Sequence, residues 1–274
     1  SVKGRPRAHM ISSSSNIRRL GDESGRVINP EIRDESVKHF GIIEHCGQAA
    51  KPISHGDFMA ETFQNAVLTG ACGGLGQALA RELLSQGAVV ALVGLHRPSL
   101  QALAALAPMR CAVYTPDVAD STAMQAMAAD WMSRRGTPDL VIANAGVAGG
   151  FDTAEADDLA VLRRMLEVNL LGAATTFQPF VKVMRAQRRG ALVGVASIAG
   201  WRGMPGNGAY CASKGGLIRY LESLRAELRS ESIVVRTVSP GYLRTALTAG
   251  NRFAMPGLME PEVAAKAILA GIAR

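Results

Sequence analysis

A chain of 274 residues, 48% of them hydrophobic, has material for one large α/β domain or two small ones, which excludes a wholly disordered or fibrous polypeptide. With 29 glycines and only 5% aromatic residues, the composition suits many tight strand-to-helix turns better than an aromatic-rich sandwich. The net charge of +7 is scattered: Arg134 and Arg135, Arg163 and Arg164, and the arginines of 185–189 stand beside acidic residues on expected helices, the pattern of solvated faces, which speaks against nucleic acid as a partner.

Residues 1–58 are rich in Ser, Arg and Gly and show no sustained apolar period, so they are expected to form a mostly disordered N-terminal extension. The serine run at 12–15 followed by Arg18 and Arg19 hints at a transit peptide, but Asp22, Glu23, Glu31, Asp34 and Glu35 are wrong for one. Met59 would be a natural first residue for residues 59–274, which are expected to form the folded domain. There the chain alternates short apolar runs at 66–69, 89–93, 111–115, 140–143, 191–196 and 233–238 with helical patterns at 75–86, 121–135, 159–187 with breaks, 210–229 and 260–273. Strands alternating with helices at this spacing predict an α/β fold, a doubly wound and mostly parallel sheet with six strands visible.

Four cysteines, Cys46, Cys72, Cys111 and Cys211, lack metal-ligand spacing and read as reduced thiols in a cytoplasmic protein. No apolar run is long enough to span a bilayer, because Asn169, Gln178 and glycines interrupt the longest ones. His96 is the only histidine after residue 59, which makes Ser-His-Asp chemistry and a His-rich zinc site improbable.

The first strand runs straight into Thr69-Gly70-Ala71-Cys72-Gly73-Gly74-Leu75-Gly76, and a helix follows. In that context Gly70 makes the tight turn, Gly74 lets backbone approach a pyrophosphate at the positive helix end, and Gly76 permits close helix-to-strand packing. The spacing is not a literal GxGxxG, and a plain turn is the structural alternative. Gly70, Cys72, Gly73, Gly74, Leu75 and Gly76 are the expected cofactor contacts here, although Cys72, like Cys211, also reads as a small packing residue.

The end of the second strand, Val93-Gly94-Leu95-His96-Arg97, lacks the acid that would accept hydrogen bonds from a free 2′-hydroxyl. His96 and Arg97 would suit a 2′-phosphate instead, so NADP is the expected cofactor and NAD a possible one; the plain alternative is an exposed arginine. Further on, Tyr210 and Lys214 are four apart on an expected helix and so share a face. An ammonium and a cationic nicotinamide both favour the phenolate, which makes Tyr210 a usable general acid or base. Ser197 closes the fifth strand at its carboxyl end, where open α/β sheets bind ligands.

Together these residues resemble the short-chain dehydrogenase/reductase family, from Ala66 to the C-terminus and in the family's own order. Gly70, Gly74 and Gly76 stand at its TGxxxGxG turn, Asp117 with Val118 beside it at its adenine-contacting position, and Asn144-Ala145-Gly146 at its NAG strand end. Asn169, Ser197, Tyr210 and Lys214 match its catalytic tetrad, and Pro240, Gly241 and Thr245 its PGxxxT segment. The resemblance implies that Ser197 steadies a carbonyl oxygen, Tyr210 exchanges the proton, Lys214 binds the nicotinamide ribose and lowers the tyrosine pKa, and Asn169 positions a water. For Asp117 a turn, and for Asn144 the satisfaction of backbone groups, are the milder structural readings.

The expected activity is hydride transfer between a nicotinamide and an alcohol or ketone of small to mid-sized, hydrophobic character. Trp201, Met204, Tyr242, Leu247, Phe253 and Met255 are candidates for its pocket. The alternative is a non-catalytic nucleotide-binding scaffold of the same fold, against which the intact tetrad argues. An epimerase or dehydratase of the extended family would need a larger substrate domain. The resembling family also adds a strand after its last helix, and none is visible here. The expectation is therefore a truncated chain with an open sheet edge, marginal stability, and weaker homo-oligomer assembly than a full-length form.

Overall fold

Runs of Val, Leu, Ile and Ala with no polar side are stable as strands only if helices cover both faces of the sheet. That is how they are used in the computed structural model, which describes residues 41–42, 63–250 and 254–273. The six expected strands are β2 (Asn65–Thr69), β3 (Val89–Val93), β4 (Cys111–Tyr114), β5 (Leu140–Ala143), β6 (Gly190–Val195) and β7 (Ile233–Ser239), all parallel. Along them successive side chains go to opposite cores. Ala66, Leu68, Val90, Leu92, Leu140 and Ile142 join one buried cluster, and Val67, Ala91, Val93, Val141 and Ala143 join the other.

The first cluster is closed by α1 (Gly74–Ser85), through Leu75, Leu79 and Leu83, and by α7 (Pro261–Ile272), through Ile268 and Leu269. Helices α3 (Ser121–Arg135), α5 (Gly172–Gln187) and α6 (Gly208–Leu228) close the second with Trp131, Phe177, Phe180, Leu217 and Leu221. With β1 at Gly41–Ile42, the sheet order is β1-β7-β6-β5-β2-β3-β4, so the chain winds outward from β2 through β3 and β4, then returns to β5 and winds the other way. Carboxyl ends of strands diverge from their connections at that reversal, which leaves a crevice between β2 and β5.

Three features differ from the sequence reading. A two-residue strand, β1 (Gly41–Ile42), pairs antiparallel with Ser239 and Val238, so the outer edge of β7 is covered there rather than left wholly open. It comes from the segment expected to be mostly disordered; the rest of 1–58 lies outside the described residues, as does Cys46. Among the described residues no strand follows α7.

A short helix, α2 (Arg97–Ala104), follows β3 where none was predicted. Pro98 near its start fixes a helical φ, and His96 caps it by accepting from the Ser99 amide. Finally, the long helical pattern at 159–187 resolves into α4 (Asp158–Leu166), a π turn (Glu167–Leu171) and α5. The expected break is thus a one-turn widening of a continuous helix.

Candidate active site

The crevice is built first by the turn after β2. Gly70 takes φ of +65°, and Gly73 N–H donates to Gly70 O at 3.1 Å, so the chain reverses directly into α1. Helix α1 begins with no side-chain cap and no acid in its first turn, so its first amides and positive dipole end are left to an anion.

Thr69 and Asn144 lock this turn to β5. The Thr69 hydroxyl donates to Ile142 O and accepts from Asn144 N and Ala145 N, at 3.3, 3.2 and 3.3 Å. Asn144 Nδ2 donates to Thr69 O and Gly70 O at 3.1 and 3.2 Å. Asn144 therefore does satisfy backbone groups, and by doing so fixes the glycine turn.

On the other side of the crevice, Ser197 follows β6 in extended conformation and its Oγ accepts from Ala199 N at 3.2 Å. Ile198 N–H donates to Pro240 O at 3.1 Å, which ties this loop to the Pro240-Gly241 segment. Gly200 lets the loop lie directly on α6, since a Cβ there would sit 2.7 Å from Ile218 Cδ1 and 2.9 Å from Lys214 O. This close docking brings Tyr210, in the first turn of α6, to the same cleft wall as Ser197. Burial pushes the Tyr210 phenol above its ordinary pKa, the Ser197 hydrogen bond works against that rise, and Cys211 adds to it. The Lys214 ammonium donates to Val195 O at 2.7 Å.

Lys214 is only 4% exposed, and burial pulls its pKa from 10.5 to about 8. Below that value the ammonium is charged in both the folded and unfolded chain, and its burial costs roughly 3 kcal/mol at ~1.4 kcal/mol per pKa unit. Between about 8 and 10.5 the unfolded chain holds the proton and the folded chain does not, so stability rises with pH across this window. Lys214→Met removes the titration. The stability of the native protein relative to this variant, from urea unfolding without nucleotide, is expected to increase from about pH 7 to about pH 10. A pH-independent difference would mean that Lys214 titrates at its ordinary value.

Asn169 sits in the π turn, 1% exposed. Its Oδ1 accepts from Val147 N at 2.8 Å, and its Nδ2 donates to Val147 O and Ser213 Oγ, both at 2.9 Å. The Ser213 hydroxyl then donates to Tyr210 O at 2.8 Å. Both amide hydrogens are thereby used on the protein itself, so the side chain couples the β5 end to α6.

These elements enclose a cleft of about 490 Å³. Of the expected site residues, Gly70, Cys72, Gly73, Gly74, Leu75, Gly76, Asp117, Val118, Asn144, Ala145, Gly146, Ser197, Tyr210, Lys214, Pro240, Gly241 and Thr245 line it. Asn169 stands behind the wall. His96 and Arg97 do not line the cleft: the histidine ring is bonded to Ser99, its Nδ1 2.7 Å from the hydroxyl, and Arg97 donates to Thr115 Oγ1 at 3.2 Å. The onset of α2 at Arg97, with Pro98 at its second position, was missed by the sequence reading and explains this placement.

Met204, Tyr242 and Leu247 line the cleft as expected, together with Ile198 and Asn207. Trp201 lies instead in a neighbouring surface depression, where its Nε1 donates to Ser239 Oγ at 3.2 Å. Met255 is not in the cleft wall, and Phe253 is outside the described residues. Sequence reasoning missed Thr69, Arg164, Val168 and Ser213. The last neighbours Lys214, and Arg164 and Val168 are four apart just before Asn169, a helical spacing that was available as a signal.

Among the described residues there is no His/Cys/Asp/Glu cluster fit for a metal and no helix long and apolar enough to cross a membrane. A sequence model described as short chain dehydrogenase matches residues 64–255. A protein of Myxococcus xanthus described as an uncharacterized oxidoreductase is 40% identical over 222 residues, covering 79% of this chain and 87% of that protein. The cis-4-hydroxycyclohexanecarboxylate dehydrogenase of Sinomonas cyclohexanicum is 32% identical, with coverage of 79% and 87%. A 3-oxoacyl-(acyl-carrier-protein) reductase of Rickettsia conorii is 30% identical, with coverage of 68% and 76%. The crystal structure of a short-chain dehydrogenase from Streptomyces avermitilis superimposes with a TM-score of 0.62 at 30% identity, covering 67% of this chain and 68% of that one. The chain belongs to the short-chain dehydrogenase/reductase family, a family of oxidoreductases that use nicotinamide cofactors.

Proposed function

We propose that this chain reduces a ketone, or oxidises the matching alcohol, with Tyr210 as the general acid or base. The observation that carries the reading is the placement of Ser197 and Tyr210 together on the cleft wall, with Lys214 one helical turn on and the uncapped start of α1 in the same cleft. The tight turn and the free helix end fit a pyrophosphate, and the apolar walls around them fit the flat rings of a dinucleotide.

The bound nicotinamide supplies or accepts the hydride. The chain's own residues manage the oxygen. Ser197 donates a hydrogen bond to the substrate carbonyl oxygen and holds it against Tyr210. In reduction the Tyr210 hydroxyl gives its proton to that oxygen; in oxidation the phenolate takes it back. Buried phenolate is costly, so the nearby Lys214 ammonium is the group suited to stabilise it, once turned from Val195 O. Asn169 and Ser213 keep the start of α6 aligned with the β5 end throughout.

Ile198, Met204, Tyr242 and Leu247 give the substrate end an apolar lining, which favours a small to mid-sized hydrophobic ketone or alcohol. Exposed Leu159, Leu166 and Leu171 on and after α4 support a homo-oligomer, and we place its work in the cytoplasm. An absorbance assay at the nicotinamide band, with NADPH and NADH against a panel of ketones, tests the reading; no turnover with any apolar ketone would defeat it.

For the cofactor we propose a modest preference for NADP(H). Neither Gly94 nor Leu95 supplies a carboxylate that would hold a 2′-hydroxyl and repel a phosphate. Arg97 stands outside the wall but bonds Thr115, which adjoins the lining residues Pro116 and Asp117. A 2′-phosphate would draw it from this neutral partner. Arg97→Ala is expected to cut the NADPH-to-NADH ratio of kcat/KM about fivefold, the scale of one exposed ionic contact. An unaltered ratio would remove Arg97 from cofactor choice.

A further inference from the structure

Among the described residues the cleft wall contains three charged side chains, Asp117, Arg164 and Lys214. Lys214 is buried and bonded to Val195 O, which leaves Arg164, 44% exposed, as the cation open to a ligand. Arg164 does not address the solvent freely: its guanidinium donates to Asp117 Oδ2 at 2.9 Å. Asp117 Oδ1 accepts from Ala119 N at 2.9 Å, so the carboxylate is held from two sides, by its own turn and by α4.

The position of this pair in the cleft follows from the rest of the site. Reacting groups must meet at Ser197 and Tyr210, beyond β6, and a pyrophosphate at the start of α1. The remaining arm of a dinucleotide therefore runs toward the ends of β3 and β4, where Gly94, Leu95, Pro116, Asp117 and Val118 form the wall. Val168, four residues after Arg164, lines the same arm with an apolar surface.

Resting on the nicotinamide-dinucleotide reading above, we infer that Arg164 is a positioning residue for the adenosine arm of the cofactor: it fixes the Asp117 carboxylate in the wall and cancels its charge against a polyanionic ligand. Two lone-pair sites of the carboxylate are taken by Ala119 and Arg164, and the others stay free to accept from an exocyclic amine. Without Arg164 the same carboxylate would be mobile and would repel phosphates a short distance along the cleft. The backbone hydrogen bond from Ala119, and the charge and hydrogen bond of Arg164, hold Asp117 below the ordinary carboxylate range, so the pair is ionised and net neutral near pH 7.

The test is calorimetric titration of the full chain with 5′-AMP, nicotinamide mononucleotide and NADPH, for Arg164→Ala, Arg164→Lys, Asp117→Asn and the double variant that combines R164A with D117N. R164A is expected to weaken 5′-AMP and NADPH about fivefold, with nicotinamide mononucleotide unaffected and the kinetic loss falling on the cofactor KM rather than kcat. R164K should recover part of the loss, and R164A should cost nothing further once D117N is present, because the residue acts through that carboxylate. Equal 5′-AMP affinity in R164A and native protein, or a double variant that loses the product of both single effects, would overturn the inference. Native protein that binds neither 5′-AMP nor NADPH would overturn the dinucleotide reading along with it.

Discussion

Tyr210→Phe is expected to lower kcat by about two to four orders of magnitude while changing cofactor affinity less than about twofold. The substitution keeps the ring that packs between α6 and the cleft and removes one oxygen, so the loss reports the proton transfer alone. Burial holds the phenol above its ordinary pKa, and alcohol oxidation needs the phenolate, so kcat/KM for oxidation should rise with pH in the native protein. Reduction needs the protonated phenol and should fall over the same range. Cys211→Ala, next in the chain, alters a buried packing residue without a role in the chemistry, and should leave turnover within a few-fold. Full activity in the Phe variant would sink the proposed mechanism.

The parts of this molecule that were legible in the sequence are those written in local pattern. Both-face burial makes β3 and β5 uninterrupted apolar runs, and their limits fall where the sequence places them. The helix 121–135 is bounded by Asp120, whose carboxylate caps it through Ala123 N, and by Gly136 at φ +74°. What escaped was set by tertiary partners. His96 and Arg97 follow β3, and their bonds to Ser99 and Thr115 as α2 begins leave both side chains outside the cleft wall. Strand β1 has only two residues and no periodicity, and exists through its pairing with β7. Asn169 was legible by its place in a motif, but its work, bonding Val147 and Ser213 from a π turn, depends on contacts over 22 and 44 residues of sequence. Arg164 carries its partner 47 residues away, and no helical pattern names Asp117 as that partner.

Gly76→Ala is expected to destabilise the fold and abolish cofactor binding together. A Cβ at this position would lie 2.0 Å from Gly70 O, 2.8 Å from Gly70 C and 2.9 Å from Ala71 Cα. All three obstacles are backbone of the turn, which Asn144 and Thr69 tie to β5, so no rotamer change relieves the clash. The start of α1 must instead move off the sheet. Leu75, Leu79 and Leu83 of that helix are buried in the core, and shifting them adds to an overpacking cost of ~1–3 kcal/mol or more. The displacement also carries the free amides of α1 away from the pyrophosphate position, so binding is lost even in molecules that stay folded. Gly73→Ala is the matched control, because Gly73 is exposed and its added Cβ would meet nothing closer than Gly70 O at 3.5 Å. That variant should unfold at the native temperature, whatever it does to the cofactor. Thermal unfolding and NADPH titration of both variants check the argument. A Gly76→Ala protein with native melting temperature and native affinity would mean that the turn is looser than its contacts require.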